Sequence, residues 1–206
     1  VSRSLARLLS VVFHPLLLPT YLFAFLFYYL PAPLVSLPLR GRWVVLSLIF
    51  FTTFIIPGLG AYTMVRAGHV DSLEMDRREQ RSLPLLFTGV CYVVTAYLLH
   101  RENIFDRLFF VIMVILATSV FLAFVISLFW KISAHSIGVG GALGLLLVLS
   151  RLSPDSDMVP PLALTIFIAG AVLSARLSLH VHTPAQVYAG FGSGLLLALT
   201  AAALAL

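Results

Sequence analysis

The sequence predicts an all-α protein, a polytopic transmembrane helical bundle of six to seven spans. Three observations carry this. Apolar stretches of about 18 residues or more, enough to cross a bilayer, recur along the chain. Hydrophobic residues make up 61% and charged residues only 10%, where roughly a quarter is usual in a soluble domain. The length leaves room for one compact bundle and no separate soluble domain. Residues 1–206 therefore read as a single integral membrane domain, with the chemistry-bearing core in about 66–206. The lone Cys91 lies in an apolar run and excludes an internal disulfide. The net charge of +5 reflects headgroups and orientation, and no basic run is dense enough for nucleic acid.

Seven apolar segments follow in order. The first runs from about Val11 to Leu30 and ends at Pro31-Ala32-Pro33. Arg3 and Arg7 precede it as in a signal peptide, but no small-residue cleavage site follows, so it reads as an uncleaved span. The second covers about Trp43 to Val65, with Pro57-Gly58 predicting a kink. The most polar loop, Arg66 to Leu83, leads to a short third segment, about Pro84 to Leu99. A tight polar turn, His100 to Arg107, precedes the fourth, about Leu108 to Trp130. Lys131 to His135 interrupts the pattern before a short, Gly-rich fifth segment, about Ser136 to Leu149. The sixth runs from about Pro160 to Leu179 and the seventh from about Pro184 to Leu206. Gly138, Gly141 and Gly144, like Gly190 and Gly194, are spaced to let helices approach closely in lipid.

Seven spans put the loops after segments two, four and six on one side of the membrane. Those loops hold nearly all the polar residues worth attention. With the N-terminus, that side carries Arg3, Arg7, Arg66, Arg77, Arg78, Arg81, Lys131 and Arg176; the other carries Arg40, Arg42, Arg101, Arg107 and Arg151. A literal positive-inside count places the site in the cytoplasm. With Arg77, Arg78, Arg81, Lys131 and Arg176 set aside as anion ligands, the count reverses, so both orientations stand.

Ser174 to Gly190 is the stretch richest in costly groups at a membrane boundary, where ionisable side chains are functional candidates. It reads A-R-x5-H-x3-Q-V-x2-G from Ala175. Upstream lies Ile132-Ser133-Ala134-His135. These two stretches resemble the third and second motifs, S-R-x5-H-x3-D-V-x2-G and P-S-G-H, of the type 2 phosphatidic acid phosphatase superfamily. Arg176, His182, Val187 and Gly190 fall in register; Ala175 and Gln186 stand where that family has Ser and Asp. The first motif, K-x6-R-P, survives only as Arg81-Ser82-Leu83-Pro84, with Glu74 at the Lys position.

The resemblance implies that fold and a set of roles. His182 would attack phosphorus and form a phosphohistidine, which suits an imidazole with one nitrogen free and the other held by an acceptor. His135 would protonate the leaving oxygen. Gln186 would hold His182, but without the charge of the Asp; by residue pattern alone, Thr183-Pro184-Ala185-Gln186 is also a helix capping box. Arg176 and Ser133 would bind phosphate, joined by Arg78, Arg81 and Lys131 as candidate cations. Ser133 equally suits the cap of the helix that follows, and D-R-R-E-Q-R equally suits a solvated loop. Asp76 or Glu79 would be the carboxylate to replace the missing Asp. His180 has no counterpart and reads as an interfacial side chain. No H-E-x-x-H, Cys pair or D-D-x-x-D suggests a metal set, and the resemblance implies neither cofactor nor metal.

The leading expectation is an integral membrane lipid phosphate or diphosphate phosphatase, or phosphotransferase, of a bacterial cytoplasmic (inner) membrane. Its partner would be a lipid substrate, a polyprenyl or glycerol lipid phosphate. The alternative keeps the fold without turnover, as a lipid-binding or accessory subunit of a membrane complex. A transporter or flippase for lipid phosphates is a third reading. A carboxylate within reach of His182 would favour the enzyme; none there, with Gln186 only capping its helix, would favour the inactive reading.

Overall fold

The computed structural model describes residues 2–30, 37–75, 77–101 and 105–205. Among them are nine α-helices and no strand: α1 (Arg3–Val12), α2 (Leu18–Tyr29), α3 (Leu39–Phe50), α4 (Ile56–Arg66), α5 (Ser82–Arg101), α6 (Arg107–Ser127), α7 (Ala134–Leu152), α8 (Val159–Ser178) and α9 (Pro184–Ala205). They form seven helical stretches long and apolar enough to cross a membrane. The chain has the make-up of an integral membrane protein.

Two of those stretches are interrupted. The first begins at Arg3 rather than Val11 and is broken where His14-Pro15 starts a 3-10 turn, Pro15–Leu17. The break has a local cause. Pro15 and Pro19 have no N–H to offer the preceding turn, and His14 Nδ1 accepts the Leu16 N–H at 3.3 Å. The second stretch, Leu39–Arg66, carries a π-helical turn over Phe51–Ile55, immediately before Pro57. The irregularity expected at Pro57-Gly58 is thus taken up one turn earlier, where the ladder widens to accommodate the proline. α4 closes with Gly68 at φ 78, the left-handed geometry that favours glycine.

The third and fifth stretches are longer than their apolar cores suggest. Arg78–Arg101 and Ala134–Leu152 both reach spanning length by including polar end residues. The proline-rich end expected for the first span, Pro31-Ala32-Pro33, lies outside the described residues.

α6 is the most enclosed of the spans after α7, burying Phe109, Ile112, Met113 and Ile115. At the end of the bundle away from the site, Phe109 meets Phe23 and Phe27 edge to face, with centroids 5.8 and 5.3 Å apart. Aromatic pairs of this kind add about 0.5–1.5 kcal/mol beyond area burial. Large apolar side chains such as Phe167, Leu164 and Leu196 are exposed on the outside, as lipid contact requires.

α7 and α9 pack backbone against backbone. A Cβ on Gly194 would stand 2.1 Å from the Ile137 carbonyl oxygen, and one on Gly140 2.2 Å from that of Phe191. Gly144 and Gly190 are similarly tight, with nearest atoms at 2.8 and 2.9 Å. The glycine expectation needs one adjustment. Gly140 belongs to the α7–α9 seam, whereas Gly138 faces Leu18 of the first span and Gly141 has room, its nearest atom at 3.7 Å.

Candidate functional site

The three loops on one side do converge, around a cavity of ≈ 190 Å³. Its mouth holds Arg81, Arg176, His135 and His182. Its apolar depth passes between α2, α4, α5 and α6 to Thr88, Tyr92 and Leu116. Tyr92 lies eleven residues beyond Arg81, or about 16 Å along a helix. The cavity thus has a cationic end and an apolar end.

Gly190 shows how local sequence builds the mouth. Having no side chain, it lets α9 approach the Ser133 carbonyl at the start of α7. The Ser133 N–H then reaches the Gln186 carbonyl at 3.4 Å. This seam sets the turn carrying His182 beside Lys131 to Ser133. The last residue of the motif therefore acts by allowing contact, with no chemistry of its own.

His182 is 8% exposed. Its Nδ1 lies 3.2 Å from Gln186 Oε1 and 3.3 Å from the Lys131 carbonyl oxygen. Both partners are acceptors, so Nδ1 carries the hydrogen and the Nε2 lone pair is left available. Burial, then the nearby guanidiniums of Arg81 and Arg176, hold the His182 pKa down at about 4, against a smaller upward pull from the Gln186 bond and a further downward one from Lys131. The ring is neutral at neutral pH.

Gln186 makes both kinds of contact open to it, to His182 and to its own helix cap. Oε1 also accepts the Thr183 N–H at 3.1 Å, and Thr183 Oγ1 accepts the Gln186 N–H at 3.4 Å. That is a reciprocal capping box at the start of α9. No carboxylate among the described residues bonds His182. Glu79 is instead engaged with Arg78 at 3.3 Å, and Asp76 lies outside the described residues.

Arg81 ties the site together. Nε donates to the Met75 carbonyl at 3.0 Å and Nη1 to the Ile132 carbonyl at 3.1 Å, so the loop after α4 is clasped over the start of α7. Arg78 faces elsewhere, toward Glu79 and the Leu128 carbonyl at 3.1 Å, and does not line the cavity. Lys131 contributes its carbonyl to His182 and its charge to the surroundings.

Ser133 is fully buried. Its Oγ accepts the Ser136 N–H at 3.3 Å and pairs with Ser136 Oγ at 2.9 Å. It caps α7 and does not line the cavity. His180, at φ 55, forms the left-handed turn that ends α8. Among the described residues, no three His, Cys, Asp or Glu side chains gather as a metal set.

The first span supplies what sequence reasoning missed. Arg176 Nη1 donates to Ser10 Oγ at 3.2 Å, and His135 Nε2 donates to the Ser10 carbonyl at 3.0 Å. His14 lines the cavity, its ring centroid 5.4 Å from that of His135 at 83°. The available signal was an ionisable side chain inside an apolar run, but nothing near it in sequence pointed to residues more than a hundred positions away.

No family model matches the chain, and neither a curated protein nor a solved structure matches it.

Proposed function

We propose that the protein is an integral membrane lipid phosphatase or phosphotransferase of the type 2 phosphatidic acid phosphatase kind, acting through His182. One observation carries the reading. A neutral imidazole with Nδ1 held by two acceptors turns its lone pair into a cavity that is cationic at one end and apolar along its depth. A phosphate headgroup suits the Arg81 and Arg176 end, and a lipid chain suits the depth toward Tyr92. Polyprenyl and glycerol lipid phosphates or diphosphates share that chemistry. The setting that goes with such substrates is the cytoplasmic membrane of a bacterium.

The reaction balances as follows. The His182 Nε2 lone pair attacks phosphorus and the bond to the leaving oxygen breaks. The leaving oxygen takes the P–OH proton that a monoanionic headgroup brings with it, relayed through Nδ1 of His135, whose Nε2–H stays on the Ser10 carbonyl. Water then attacks the phosphohistidine, passes a proton through His135 Nδ1 to the departing phosphate, and the P–N bond breaks. An alcohol in place of water gives phosphotransfer.

A second reading has its own observation. The group on His182 Nδ1 is an amide rather than a carboxylate, which favours a binding or accessory subunit of a membrane complex with little turnover. Phosphate release by the purified protein in detergent separates the two. Polyprenyl diphosphate, phosphatidate and phosphatidylglycerol phosphate serve as substrates, and His182→Ala as control. Release abolished by His182→Ala supports the phosphatase. No release from any of the three moves the assignment to the binding subunit.

A further inference from the structure

We infer that the break between α1 and α2 is a wall of the anion site, and that His14 donates its Nε2–H to an anionic oxygen of the bound headgroup. The inference rests on the reading that the cavity takes a phosphate, and adds a binding residue that none of the sequence motifs contains.

Three contacts join the break to the site. Ser10 Oγ receives Arg176 at 3.2 Å, the Ser10 carbonyl receives His135 at 3.0 Å, and the His14 ring meets the His135 ring at 5.4 Å. Both cavity residues that the motifs supply on this wall are thus held by one turn of α1. The geometry of His14 follows from its position before Pro15. It precedes the 3-10 turn as its cap, with Nδ1 accepting the Leu16 N–H at 3.3 Å. A neutral ring pinned in this way carries its hydrogen on Nε2, at the opposite edge. Among the described residues, no hydrogen bond engages that Nε2.

The surroundings specify the missing partner. His135 spends its Nε2–H on Ser10, and Arg176 has only donors. Glu74, the lining carboxylate among the described residues, is exposed on the loop after α4. The wall formed by His14 and Arg176 is therefore rich in donors, and the oxygens of a phosphate are acceptors of matching charge. The same span continues from this anion end into the apolar depth through Leu16 and Leu18.

The test is calorimetric titration of inorganic pyrophosphate into the detergent-solubilised protein without metal, for wild type, His14→Phe, His14→Gln and His182→Ala. Phe keeps the bulk and removes the donor, whereas Gln keeps a donor. Expected is binding at least ten-fold weaker in His14→Phe, within about three-fold of wild type in His14→Gln, and retained in His182→Ala, as suits a hydrogen bond to a charged partner. Equal affinity of His14→Phe and wild type overturns the inference, as does wild type that binds no pyrophosphate. Phosphate release is measured in parallel. Release that is indifferent to His14 sinks this inference and leaves the phosphatase standing. Binding that depends on His14 without release does the reverse.

Discussion

Replacing Gln186 with Glu tests the site at its most informative atom. The substitution keeps the reach of the side chain, so a carboxylate oxygen takes the place of Oε1, 3.2 Å from His182 Nδ1 and 3.1 Å from the Thr183 N–H. The helix cap survives, because Glu serves as well as Gln at that position. What changes is charge. A hydrogen bond to an ionised partner contributes about 1–2 kcal/mol more than one between neutral groups. If His182 becomes cationic on the way to the phosphohistidine, that gain appears in the barrier and corresponds to a rate about 5- to 30-fold higher. In the Ser-His-Asp system, loss of the equivalent carboxylate costs about 10^4, so the figure is modest. A carboxylate there also favours the protonated ring, raising the His182 pKa from about 4. Steady-state phosphate release as a function of pH reads both effects. A faster plateau with its acid limb displaced upward is expected. Gln186→Asp, one methylene shorter, should accelerate less. A slower Gln186→Glu enzyme with an unmoved limb and an intact fold would refute the assigned bond.

Four further outcomes follow. In the wild type, kcat/KM should fall on the acid side at about pH 4, where His182 gains its proton; Arg81→Gln removes a neighbouring cation and should move that limb upward. The same depressed value makes stability pH-dependent: the unfolded chain takes up this proton first, so stability is lost as pH falls from 6.5 toward 4, by ~3 kcal/mol for this group at the low end, readable as a lower melting point in detergent. Ser133→Ala should cost about 1 kcal/mol as a lost cap and leave the rate within two-fold; a loss beyond ten-fold would make Ser133 a phosphate ligand after all. Gly194→Ala should prevent folding, since its Cβ would sit 2.1 Å from a backbone oxygen, whereas Gly141→Ala, with 3.7 Å to its nearest atom, should be tolerated; detergent melting and elution profiles tell the two apart.

The helices and the site were not equally legible. Seven spans could be read because a bilayer demands long apolar runs, and their ends wandered where polar residues extend a helix past its apolar core, as at Ser82 and Ala134. Arg176 and His182 could be paired because they lie within one short stretch. Ser10 and His14 could not, because their partners are 166 and 121 positions away in sequence (Arg176 for Ser10, His135 for His14), and such contacts are set by packing that leaves no local trace. Arg78 and Arg81 are indistinguishable as sequence, yet a turn of 3-10 helix directs one to Leu128 and the other to the cavity mouth. Gly140 and Gly138 differ likewise by which neighbour they meet.

The glycine seam also governs timing. A polytopic chain enters its membrane from the N-terminus onward, and the partner of the fifth span is the seventh. Through the synthesis of α8, the face of α7 that carries Gly140 and Gly144 has nothing to close against, and the Ser133 N–H lacks the Gln186 carbonyl. His182 and the group that orients it arrive together with α9. The turn that carries His182 therefore gains its support only once α9 has been laid down, and truncation ahead of Gly190 should yield an inserted protein in which the proposed site is not built.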